Sequence, residues 1–339
     1  MRVLSGMQPS GEAHLGNYFG SMKPNIDLLS AGAEENIFVI VDLHALTTMH
    51  NADDLRKQRQ NLTKDMLACG FDPSKGILFF QSYVPEHTEL AWILSCVTPV
   101  GLLERAVSYK EKVQEGIEAS AGLFTYPVLQ AADILLYDAN VVPVGKDQKQ
   151  HLEMARDIAQ KFNHRYGSTP LPSRLGRAET GTTGGEGALV VPEARIRDDV
   201  AVVPGTDGRK MSKSYGNTIP MFAGEKVIRR AIAEIVTDSK GVADAKDPDK
   251  NTIYLLHKLF LSPAEAKSLA EQYRKGGLGY GDAKKMLLEA FMDYFGEMRA
   301  KRAALKEADA EEVMMEGAKK AKKIAAATME RVRKATGLR

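Results

Sequence analysis

Four short apolar runs, at 3–7, 37–41, 77–81 and 141–144, are set between longer amphipathic stretches, and this alternation constrains the fold more than any other feature. Runs of this length, rich in Val, Ile, Leu and Phe, read as buried strands. Strands that alternate with helices form a parallel sheet, because a parallel connection must cross over the sheet and a helix is the usual way to do so. Two of the intervening stretches have helical periodicity. Residues 53–69 place Leu55, Leu62, Met66 and Leu67 on one face, and residues 147–166 repeat Leu152, Ala155, Ile158, Ala159 and Phe162. The predicted class is α/β, with a Rossmann-like parallel sheet.

The rhythm breaks near 170–207, where Gly181, Gly184, Gly185 and Gly187 cannot hold a helix. A flexible, glycine-rich loop is expected there, tipped by a hairpin over 188–203. From residue 225 onward the pattern is helical, with segments at 226–236, 252–261, 263–273, 281–305 and 310–336. Ser262 before Pro263 is a helix start, and the glycines of 276–281 mark a turn. A chain of 339 residues exceeds what one core usually supports. We therefore expect a sheet domain over 1–207 and an all-helical C-terminal domain within 208–339.

Charge is nearly balanced, 46 Lys and Arg against 44 Asp and Glu, so any contact with nucleic acid must come from local clusters. One is 319–339, with eight Lys or Arg and a single acidic residue, Glu330. It suits phosphate contact or a solvated terminal helix equally well. Two cysteines, Cys69 and Cys96, are expected to be buried thiols in a reducing compartment. With no signal-like stretch and no apolar run of about 18 residues, a cytoplasmic protein that does not enter a membrane is expected. The seven histidines, His14, His44, His50, His87, His151, His164 and His257, show no metal-ligand spacing.

Two segments carry chemistry. In Gln8-Pro9-Ser10-Gly11-Glu12-Ala13-His14-Leu15-Gly16-Asn17, small residues between the first strand and a helix starting near Leu15 let backbone N–H groups approach a phosphate. A plain strand-to-helix turn is the alternative. In Gly208-Arg209-Lys210-Met211-Ser212-Lys213-Ser214-Tyr215-Gly216-Asn217, two lysines three apart on a loop can close around a polyphosphate. A basic surface loop is the alternative there.

Together, His14-Leu15-Gly16-Asn17 and Lys210-Met211-Ser212-Lys213-Ser214 resemble the two signature sequences of class I aminoacyl-tRNA synthetases, in matching order and separation. The second matches throughout. The first departs at Asn17, where many members have His, a departure usual in the tryptophan branch. Segments 41–47 (VDLHALT), 126–135 (YPVLQAADIL), 142–152 (VPVGKDQKQHL), 237–239 (TDS) and 279–281 (GYG) also resemble that branch.

Tyr126, Gln130 and Asp133, at spacings of four and three, share one helical face that either lines a pocket or forms a polar stripe. The resemblance implies that Asp133 accepts the indole N–H of tryptophan, a donor-only group. A tyrosine hydroxyl can also donate, and Gln130 stands where tryptophan enzymes often have Met. The tyrosine branch places a second phenol-contacting tyrosine in the first strand, whereas this chain has Leu4 there, followed by Gln8-Pro9. With Leu4, Val142 and Val144 around it, a hydroxyl would be poorly paired, which favours tryptophan.

The resemblance further implies that Tyr126 and Gln148, with Gln130, hold the ammonium group and that His44 packs against the ring. By the same resemblance Gln8, Pro9, Ser10, Gly16 and Asn17 are expected to hold ATP, with Gly145, Lys146 and Asp147 at the ribose and Ala201 and Met211 as candidates for adenine contact. Lys210 and Lys213 are expected to act on pyrophosphate and Ser212 and Ser214 to shape their loop, while Lys110 and Lys112, in the basic tract 108–113, either reach the phosphates or form a solvated helix face. Gln8, Asn17, Lys210 and Lys213 are the catalytic candidates. Mg2+ is expected on the triphosphate, held by no protein metal cluster. Tryptophan, ATP and tRNA(Trp) are the implied partners, bound by a homodimer with the anticodon at the helical domain. Tyrosine activation, a small-molecule adenylyltransferase and a silent RNA-binding relative are the rival readings.

Overall fold

The computed structural model describes residues 2–30, 35–106, 109, 114, 116, 118–144, 149–167, 187–196 and 203–339. Its centre is a five-stranded sheet of β1 (Arg2–Met7), β2 (Glu35–Ile40), β3 (Gly76–Phe80), β4 (Val141–Val144) and β5 (Glu193–Ile196), in the order β3-β2-β1-β4-β5. Every pairing is parallel. The order reverses direction on either side of β1, so the carboxyl ends of β1 and β4 flank the crevice where open α/β sheets bind ligands.

Alternation along the strands divides the apolar residues between two faces. Phe38, Ile40, Leu78 and Phe80 point to one core, with Leu62 and Met66 of the Ala52–Ala68 helix. Ile37, Val39 and Phe79 point to the other, with Ala131, Ile134, Leu152, Ile158 and Phe162. Asn51 caps the Ala52–Ala68 helix through Asp53 N and Asp54 N, leaving its apolar stripe free to pack. The Lys149–Tyr166 helix buries Leu152, Ala155, Ile158, Ala159 and Phe162, the residues its periodicity singled out.

Two expectations are corrected. Among the described residues of 188–203 the strand is not half of a hairpin: Glu193–Ile196 adds to β4 in parallel, with Val141 opposite Glu193 and Val144 opposite Ile196, and 197–202 lie outside the described residues. The segment is steered there by Asn163, which donates to Leu189 O at 2.7 Å and accepts from Leu189 N at 3.0 Å, while Ala188 and Leu189 are buried. Cys69 is buried as expected, but Cys96 is exposed. It lies just past the surface helix Glu86–Ser95, whose Trp92 is also open to solvent.

Beyond residue 225 the chain is helical: Glu225–Ala233, Thr252–His257, Pro263–Lys275, Tyr280–Ala304 and Glu307–Thr336. Ser262 and Glu265 form a reciprocal capping box at the third of these. The last helix returns to the sheet and runs along the outer strand β3. Gly317 allows the approach, since a Cβ there would lie 1.9 Å from Leu78 O. The same helix places Met314 in one core and Ala321, Ala325, Met329 and Val332 in the other. Arg331 pairs with Asp138 at 2.6 Å, Arg333 pairs with Glu89, Lys319 pairs with Glu316 and Lys320 donates to Pro73 O at 3.2 Å, so four of the eight cations of 319–339 are engaged within the fold.

Candidate active site

The first strand ends at Met7, and the chain then turns through Gly11, whose φ of 64° suits glycine, into a helix that begins at Leu15. The lysine-bearing segment packs directly on this turn. Leu15 N donates to Ile219 O at 3.1 Å and Met221 N to Ala13 O at 2.9 Å, and His14 bridges Pro220. Gly16 N lies 3.4 Å from Met211 Sδ, and Met211 is buried. A Cβ on Gly11 would lie 3.5 Å from Lys213 Nζ, so the ammonium group sits over the glycine turn.

Lys213 is exposed over much of its length, and partial desolvation of its ammonium group lowers the pKa, while Asp65 and Glu12 pull it back up. His14 is pushed down to about 4, first by burial and then by the Lys213 charge. At neutral pH the turn therefore presents a neutral imidazole beside a cation, a setting for an anionic group. Asn17 accepts from His14 N at 3.2 Å. Pro9 is buried, Gln8 half-buried and Ser10 exposed, while Lys210 and Ser214 are open to solvent. Ser212 Oγ and Ser214 Oγ lie 2.8 Å apart.

Asn217 is the residue that shapes this loop. Its side chain accepts from Ser212 N at 2.8 Å and donates to Asp207 Oδ1 at 2.7 Å and Lys210 O at 3.1 Å. It is buried. Sequence reasoning placed it in the segment without a role, although an asparagine next to glycine in a loop is a turn-forming residue.

Asp133 lies in the Ala121–Leu135 helix and is buried, with Tyr126 and Gln130 half-buried on the same face, so that face is no solvated stripe. Gln81 Nε2 donates to Asp133 Oδ1 at 2.6 Å, and His87 Nδ1 lies 2.6 Å from the same oxygen. His44 Nε2 is 2.8 Å from Oδ2. Burial pushes the Asp133 carboxyl up, but the hydrogen bonds and charges of His44 and His87 together outweigh it and hold the group well below the usual carboxylate range. Tyr126 OH is 2.8 Å from His151 Nε2, and its ring meets His44 edge-on at 6.1 Å. Leu4 and Val142 are buried in the same core as the Asp133 helix.

The structure thus gathers His44, Tyr126, Gln130 and Asp133 around one region, and Gln8, Gly16, Asn17, Met211, Ser212 and Lys213 around another, each approached from the carboxyl ends of strands. Gly145, Lys146, Asp147, Gln148, Ala201, Lys110 and Lys112 lie outside the described residues, as does the side chain of Val144. Gln81 and His87 were missed as site residues. Gln81 was assigned to the end of the third strand, and a polar residue at the carboxyl end of a parallel strand is itself a signal. His87 was weighed only for metal spacing. Among the described residues no group of His, Cys, Asp or Glu stands to hold a metal, and no helix is long and apolar enough to cross a membrane.

This chain resembles characterised proteins along its whole length. It is 48% identical over 342 residues, all of both chains, to the tryptophan–tRNA ligase of Rhodopirellula baltica. It is 46% identical over 341 residues to that of Campylobacter jejuni. The Campylobacter jejuni tryptophanyl-tRNA synthetase crystallised with ADP and tryptophan superposes with a TM-score of 0.88 at 45% identity, covering 99% of this chain and 100% of the other. A tyrosyl-tRNA synthetase of Archaeoglobus fulgidus shares the fold at 21% identity and a TM-score of 0.60. With residues 1–296 matching the class I tRNA synthetases for W and Y, and with the two signature segments packed on each other, the chain belongs to that family.

Proposed function

We propose that the chain is a tryptophan–tRNA ligase, which activates L-tryptophan with ATP and transfers it to tRNA(Trp). The single observation that carries the enzymatic reading is Lys213 Nζ seated over the Gly11 turn, which joins the two distant signature segments into one anion site. The choice of tryptophan rests on 48% identity along the full length to a tryptophan–tRNA ligase and on Asp133, an ionised, buried acceptor for the indole N–H.

In this reading the tryptophan carboxylate attacks the α-phosphate of ATP in line. A carboxyl oxygen–phosphorus bond forms, the bond to the β-phosphate breaks, and pyrophosphate departs with the electron pair. A terminal ribose hydroxyl of the tRNA then attacks the activated carbonyl, and AMP leaves. No protein nucleophile is needed, so positioning and charge stabilisation do the work. Lys213 and Lys210 neutralise the departing pyrophosphate, and Gln8, Pro9, Ser10, Gly16 and Asn17 hold the nucleotide. Gly145, Lys146, Asp147, Ala201 and Met211 complete its site. Tyr126, Gln130 and Gln148 receive the ammonium group, and Leu4, His44, Val142 and Val144 enclose the ring.

Mg2+ travels with the triphosphate. The donors around Gly11 are N–H and ammonium groups, which suits an ion ligated by phosphate oxygens and water. A cytoplasmic homodimer, with tRNA bridging catalytic and helical parts, accords with this chemistry. ATP–pyrophosphate exchange with each of the twenty amino acids tests the assignment. Exchange driven by tryptophan alone is expected, and exchange driven by tyrosine instead would overturn it.

A further inference from the structure

The carboxylate that should read the indole N–H is held by a chain of groups that continues behind it. His87 is fully buried, with Nδ1 2.6 Å from Asp133 Oδ1 and Nε2 2.7 Å from Tyr137 OH. Tyr137 is also fully buried, and burial, followed by the charges of Asp133 and Glu86, keeps its phenol protonated. Asp133 is ionised, so an unprotonated Nδ1 would set acceptor against acceptor at 2.6 Å, and the proton must lie on Nδ1. Nε2 is then free to accept from the Tyr137 hydroxyl. Every hydrogen bond in the row points toward the carboxylate.

We propose that His87, oriented by Tyr137, is a positioning and specificity-determining residue that fixes the rotamer of Asp133 and leaves Oδ2 to receive the substrate's N–H. Oδ1 already takes two donors, from Gln81 and His87, and has little capacity left. Among the described residues Oδ2 meets His44, which is the less buried of the two histidines, with 12% of its side chain exposed against none for His87. The asymmetry gives the two histidines different duties. His44 occupies the substrate-facing oxygen and can yield it, whereas His87 is locked at both nitrogens. The titratable groups facing Asp133 among the described residues are His44 and His87, with Tyr137 and Glu86 behind them.

The inference rests on the assignment of Asp133 to the indole. Exchange kinetics of His87→Leu, His87→Asn and Tyr137→Phe test it in the full-length enzyme between pH 5 and 8. His87→Leu removes the donor and should raise KM for tryptophan about ten- to a hundredfold with KM for ATP unchanged. It should also bring an acid limb into the pH profile of kcat/KM for tryptophan that the wild type lacks. His87→Asn places an amide donor near the Nδ1 position and should recover most of the loss, and Tyr137→Phe should give a smaller shift of the same kind.

Equal effects on both KM values, an unmoved acid limb, or Asn no better than Leu would overturn the proposal. Should His87→Leu fail to fold, nitrogen-15 spectra of histidine-labelled wild type decide. A ring carrying a proton on Nδ1, assigned by its loss in His87→Asn, is required, and a ring protonated on Nε2 alone would sink the idea. Failure of the tryptophan assignment looks different, since the wild type itself would then show no exchange with tryptophan.

Discussion

Arg331 and Asp138, 193 positions apart in sequence, form a buried ion pair at 2.6 Å that fastens the last helix to the end of the helix carrying Asp133. Arg331 also donates to Ala188 O at 3.2 Å, so one guanidinium ties three segments together. Burial raises the Asp138 pKa and Arg331 opposes that rise. Removing the arginine alone would leave a buried carboxyl without its counter-charge. Arg331→Met should cost about 3 kcal/mol in urea unfolding, and the double variant with Asp138→Asn should recover part of it. A loss well below 1 kcal/mol would show that solvent reaches this pair.

Gly317→Ala should be disruptive although alanine favours helices. The added methyl would meet the Leu78 carbonyl oxygen at 1.9 Å, against a backbone that cannot swing aside. A loss of about 2 kcal/mol in thermal or denaturant unfolding is expected. Unchanged stability would mean that the helix does not lie on β3 as described.

Lys213→Ala should lower the rate of adenylate formation about a hundredfold while leaving tryptophan affinity nearly intact, because pyrophosphate charge builds only as the bond breaks. Single-turnover kinetics with tryptophan titrated separately distinguish the two effects. An undiminished rate would remove the role assigned to this ammonium group.

His14 gives the fold a specific acid sensitivity. Its pKa falls from 6.5 to about 4 through burial and then the Lys213 charge, so the unfolded chain binds a proton more readily than the native one. Stability from this group is fully present above pH 6.5 and drains away as pH falls towards 4. Up to ~3 kcal/mol is at stake. Urea midpoints measured from pH 7.5 to 4.5 should fall less steeply for His14→Gln than for wild type, and parallel curves would contradict this.

What was legible in the sequence was local. Strands β1 to β4 announced themselves as apolar runs, and Ser262-Pro263 marked a helix start that the structure caps as expected. The helical spacing of Tyr126, Gln130 and Asp133 placed them on one face, and that face is turned inward. What was not legible depended on distance. Gln81 and His87 meet Asp133 across 52 and 46 positions, and no periodicity within a window reports such pairing. Strand β5 is four residues long and follows Pro192, too short for alternation to signal it, so its partner was set by the open side of β4 and the grip of Asn163. Cys96 was misplaced because thiols are usually buried, whereas its position just past a surface helix decides the matter.

The packing of the Glu307–Thr336 helix along β3 has a consequence for biosynthesis. Translation produces the sheet before the segment that covers its outer margin. Throughout most of elongation the nascent chain therefore carries an uncovered strand border, with peptide groups ready to pair with a neighbour, and two cores that lack their final wall. That border is closed, and both cores are completed, only when the last helix docks.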